Sequence, residues 1–83
     1  MKRNKLVNLT EMQTGRNGIV VEIHGGFGFR ARLNALGIIP GKRITKMSSM
    51  LGQGPVTIIV DRVQVAIGFG MANRIMVNED GDL

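Results

Sequence analysis

Glu22 and His24 are the residues whose types and spacing best suggest chemistry. They lie two apart in an alternating stretch, and positions two apart on a strand share a face. A carboxylate beside an imidazole makes two ligands for a transition metal. Zn²⁺ usually takes three or four, and His24 is the only histidine, so the pair is a weak metal candidate. The chain has no cysteine, which excludes disulfides, thiolate zinc sites and cysteine nucleophiles. Gly25-Gly26-Phe27-Gly28 leads into a helical stretch, yet position 31 is alanine. The dinucleotide fingerprint needs a third glycine there and a parallel βαβ unit, so the run reads as a strand-to-helix corner. Ser48 and Ser49 have no neighbouring histidine in sequence. No nucleophile–base pair stands out, so catalytic and cofactor-binding residues are expected to be absent and the protein is expected not to be an enzyme.

A second group points to binding. Lys42, Arg43 and Lys46 run along one stretch into Met47, Met50 and Leu51, which surround a Gly52-Gln53-Gly54 tip. Flexible apolar side chains at a loop make an adaptable contact surface, and a basic margin adds steering. These six residues are the candidate partner-binding patch. Arg30 and Arg32 add charge on the preceding helix. The net charge is +5. The basic start (Lys2, Arg3, Lys5) and the acidic end (Glu79, Asp80, Asp82) offset each other, so the body carries the excess. Such an excess suits an acidic partner, nucleic acid or an anionic surface. The chain lacks Trp and Tyr, which argues against the stacking platforms of single-strand binders.

The elements that must position these residues follow from periodicity. Phe29, Leu33 and Leu36 recur at helical spacing, with Gly37 placed to end the helix and Pro40-Gly41 to turn the chain. Ile19 to His24 alternates as a strand, with Ile19, Val21 and Ile23 facing one way and Val20, Glu22 and His24 the other. Further strands are expected from Leu6 to Leu9, Lys42 to Met50, Pro55 to Val60, Val63 to Ile67 and Ile75 to Val77. Thr10 is placed to cap a turn after the first strand, and Met71 to Arg74 to form one helical turn. Glycine stands at most corners. The expected fold is mainly β, a small antiparallel barrel of five or six short strands with one short helix.

With 83 residues, one domain is expected. Residues 1–5 read as a disordered basic tail, 6–78 as the barrel and 79–83 as a disordered acidic tail. No run of about 18 apolar residues exists, and the start has no uninterrupted apolar stretch of the kind a secretory leader carries.

Taken in order, these segments resemble the ferrous iron transport protein A family (FeoA). The resemblance rests on RLNALGIIPG around Leu33, Gly37 and Pro40-Gly41, on Gly54-Pro55-Val56, and on VAIGFGMANRIMV from Val65 to Val77. Leu9, Gly15, Gly18, Val21, Ile23 and Gly25-Gly26 fit it as well, so it covers about residues 6–78. It implies an SH3-like barrel and a cytoplasmic accessory of the bacterial ferrous iron transporter (FeoB), whose cytosolic portion binds GTP. It implies binding rather than catalysis, no cofactor and at most weak transition-metal binding. It brings no ligand set for Glu22 or His24. The alternative is a small basic barrel that binds nucleic acid or an anionic surface.

Overall fold

Alternation of β-branched and polar residues sets most of the strands, and glycine sets most of their ends. The computed structural model describes residues 4–49 and 52–81. Among these the order is β1 (Lys5–Asn8), β2 (Asn17–Ile23), α1 (Phe27–Ala35), β3 (Arg43–Ser49), β4 (Val56–Val60), β5 (Val63–Ile67), α2 (Phe69–Ala72) and β6 (Ile75–Glu79). The strands form one antiparallel sheet in the order β1-β6-β2-β3-β4-β5. Each strand sends at least one side chain into a common core: Val7, Val20, Ile44, Ile58, Ile67 and Val77 in chain order. Leu33 of α1, Ala72 of α2 and Ile38 after α1 close over them. The mainly β architecture is the expected one, with a second short helix added.

Helix α1 ends as its sequence predicts. The N–H of Gly37 donates to Asn34 O and that of Ile38 to Leu33 O. This is the paired bonding of a Schellman cap, and it requires a left-handed residue, which Gly37 supplies at φ +85°. The buried Ile38 is the apolar contact that accompanies such a cap. Phe29 and Leu33 face the core, whereas Leu36 is exposed because it caps the helix and leaves the helical period. Gly37→Val is expected to cost about 1–3 kcal/mol through backbone strain, read as a lower urea midpoint. An unchanged midpoint would refute the left-handed cap.

Strand β2 departs from simple alternation. A bulge opposite β6 falls between Val20 and Glu22. An extra residue in one strand inverts the faces beyond it. Val20 and Ile23 are therefore buried while Val21 and Glu22 face outward. The expectation that Ile19, Val21 and Ile23 share one face and Val20, Glu22 and His24 the other is thus corrected beyond the bulge, where Ile23 turns inward with Val20 and Glu22 outward with Val21. The strand also begins earlier than expected, with Gly18 inside it.

The turn after β1 is capped by Asn8, not Thr10. Asn8 Oδ1 accepts from the N–H of Thr10 (2.9 Å) and of Glu11 (3.1 Å), and Glu11 Oε1 accepts from Asn8 N–H. This reciprocal arrangement is the logic of a capping box. At the other end, β6 runs through Glu79, which is buried and accepts from Gln13 N–H at 2.8 Å. Glu79 therefore belongs to the sheet and not to an acidic tail.

Candidate functional site

The bulge in β2 and the cap of α1 together leave a groove. Its walls are Val21, Glu22 and Ile23 of β2, the Ile38-Ile39-Pro40 segment, and Phe27, Arg30, Ala31 and Asn34 of α1. The four helical residues lie at i, i+3, i+4 and i+7, so they share one face. That face is distinct from the Phe29/Leu33 face turned to the core. The groove encloses about 490 Å³. Phe27 is 82% exposed and Val21 and Ile39 are exposed too, so the groove is open and its apolar walls meet solvent. Contiguous exposed apolar surface of this kind marks interaction sites in soluble proteins.

Sequence reasoning missed most of this site. One signal was present: Phe27 and Ala31 are an apolar pair four apart, off the main stripe. The other signals were hidden, because it is the bulge that sets Glu22 on the same outward side as Val21.

The structure brings Glu22 and His24 together at the groove's edge, with His24 Nε2 3.8 Å from Glu22 Oε1 and both side chains largely exposed. Among the described residues, no third His, Cys, Asp or Glu joins them or any other pair in a metal-binding cluster. The arrangement is a solvent-facing pair at the strand end, with His24 N–H bonded to Arg74 O.

The expected basic margin is largely engaged elsewhere. Lys42 Nζ reaches both carboxylate oxygens of Asp61 at 3.0 Å, and Arg43 Nη2 reaches Asp80 Oδ2 at 2.8 Å. Lys46 is a correction. It follows Ile44 by two, so it shares the inward face of β3, and it is 2% exposed. Its Nζ donates to Thr10 O (3.1 Å) and Met12 O (2.6 Å). Burial holds its pKa below the ordinary lysine value, and the nearby Glu79 carboxylate opposes that shift. Lys46 is an interior anchor for the turn after β1 and cannot form part of an outer docking margin. Met47 is exposed, as a contact residue must be; Met50 and Leu51 lie outside the described residues. By contrast Arg30 and Arg32 on α1 are exposed, and neither meets a carboxylate among the described residues.

The FeoA domain model matches residues 7–79, nearly the whole chain. The chain belongs to the FeoA family. A crystal structure described as an iron uptake regulatory protein (FeoA) is 44% identical, over 90% of this chain and 97% of its own, with a TM-score of 0.81. FeoA of Stenotrophomonas maltophilia, described as a procaryotic SH3 domain protein and complexed with zinc, is 21% identical over 87% of this chain and 89% of its own, with a TM-score of 0.73. That likeness shows the shared SH3-like fold. A manganese-dependent transcriptional repressor shares the fold as well (TM-score 0.81, 19% identity), but the match spans 92% of this chain and only 42% of the repressor. A search of curated proteins gave no match. FeoA proteins are associated with ferrous iron transport. Among the described residues, no helix is long and apolar enough to cross a membrane.

Proposed function

We propose that this FeoA protein is a non-enzymatic cytoplasmic accessory of a ferrous iron uptake system, docking on the ferrous iron transporter (FeoB) and modulating it. The observation that carries this reading is the open apolar groove beside α1, in a chain whose family is tied to ferrous iron transport. Apolar contact in a groove gives residence on a partner. Glu22 and His24 supply two ligands, fewer than a resident transition metal usually takes, so the reading includes no cofactor and only weak metal binding. The alternative of a phosphate-binding basic face is less well supported. Two of its expected residues are tied to carboxylates and a third is buried.

Capture of detergent-solubilised FeoB by the immobilised protein tests the docking. Phe27→Ser is expected to fold normally, since surface changes usually alter stability by about 0.5 kcal/mol or less. It should weaken capture by about 1–3 kcal/mol if Phe27 is an anchor. Full capture by Phe27→Ser, with loss in Met47→Ser, would move docking to the far end of β3.

A further inference from the structure

Resting on that docking reading, we infer that the groove beside α1 receives an apolar polypeptide segment of a partner that carries acidic residues on the side facing the helix. The argument begins with charge. Of the basic residues that lead into and along β3, Lys42 and Arg43 are bound to Asp61 and Asp80, and Lys46 is inside. Arg30 lines the groove and is exposed. Arg32 follows on the same helix, and the Arg74 guanidinium lies 5.5 Å from the Phe29 ring centre on that helix. None of these three meets a carboxylate among the described residues. Three positive charges without a carboxylate partner among the described residues therefore lie on or against α1.

The opposite wall differs. Glu22 stands there on β2, within 3.8 Å of His24. A groove with a basic helix wall and an acidic strand wall orients whatever lies in it. Phe27, Val21, Ile39 and Pro40 provide an apolar bed between the two walls. A segment with apolar anchors matches that bed, and carboxylates on one flank match Arg30. Like-charge flanks would be placed against Arg30 and are disfavoured. The openness of the site favours a polypeptide over an enclosed small molecule, which is usually buried by most of its surface.

The test uses two fluorescein-labelled peptides with the same leucine-rich centre, one flanked by glutamates and one by lysines, and vesicles containing phosphatidylglycerol. Binding is read by anisotropy, and the site by amide chemical shifts of Val21, Ala31 and Ile39. The glutamate-flanked peptide is expected to bind about tenfold more tightly, with shifts at those amides. Arg30→Glu is expected to abolish or invert the preference while leaving the melting temperature unchanged. Equal binding of both peptides would overturn the acidic preference. So would binding to the vesicles but to neither peptide, which would point to a membrane surface. Neither result touches the docking reading, which stands or falls separately on FeoB capture by Phe27→Ser.

Discussion

Lys46→Glu is expected to unfold the protein rather than to weaken a surface contact. Lys46 Nζ is the donor for two main-chain carbonyls, Thr10 O and Met12 O, in the turn that follows β1. The Lys46 main chain holds the same segment: Gly15 N–H donates to Lys46 O, and Lys46 N–H to Arg16 O. Glu79 fastens it from β6 by accepting from Gln13 N–H. A carboxylate at position 46 would face two carbonyl oxygens and the Glu79 carboxylate with no donor between them. Breaking a buried charged arrangement costs about 3–5 kcal/mol, a large share of the roughly 5–15 kcal/mol that holds a domain folded. Lys46→Met is milder. It strands the two carbonyls, at about 1–3 kcal/mol for a buried polar group left unsatisfied. Urea denaturation followed by circular dichroism ranks the three proteins. A folded Lys46→Glu with a normal midpoint would show that Lys46 lies on the surface.

The same burial sets a pH dependence. The folded-state pKa of Lys46 lies below the ordinary lysine value it has in the unfolded chain, chiefly through desolvation, with the Glu79 carboxylate opposing the shift. Between the two values the unfolded chain binds more protons than the folded one, so stability contributed by this group rises with pH across that window. The cost of burying the ammonium is fully present below the folded value. Lys46→Met is expected to remove this rise, as measured by urea midpoints through the alkaline range.

These results explain which features the sequence discloses and which it hides. Val56, Ile58 and Val60 are buried in β4 as plain alternation requires, and Gly37 caps α1 as its place after the stripe requires. Both are local rules, satisfied within a few residues. Lys46 obeys alternation too, since it lies two residues after the inward Ile44, but its charge suggests the surface. What reverses that expectation is a set of acceptors 34 and 36 residues away, which a linear reading cannot pair with it. The groove was hidden for a related reason. Glu22 joined Val21 on one outward surface through a bulge in the pairing of β2 with β6, and Phe27 joined them through a second face of α1. Glu22 and His24 were legible as neighbours, but their exposure comes from the fold.

Gly18→Val is expected to be the most damaging of the glycine changes, because no side chain fits between β2 and β6 at that point. Gly18 pairs with Glu79 in β6 on one side and with Ile44 in β3 on the other. A Cβ built on it would lie 2.5 Å from Val77 Cγ1, 2.9 Å from Asn78 O and 3.2 Å from Glu79 Cα. The first of these atoms belongs to a buried core side chain, and the other two are main chain. Relief would require β6 to move away from β2, yet β6 is also the partner of β1. Alanine alone is expected to cost about 1–3 kcal/mol, the usual range for overpacking, and valine more. Gly28→Ala is the matched control. Nothing lies within 4 Å of a Cβ there, and the residue is in α1. Alanine in an exposed helical position gains roughly 0.8–1.0 kcal/mol over glycine. Opposite shifts in the urea midpoints are therefore expected from the same chemical change at the two sites. If Gly18→Ala melts with the wild type, the two strands do not approach as closely as the structure places them.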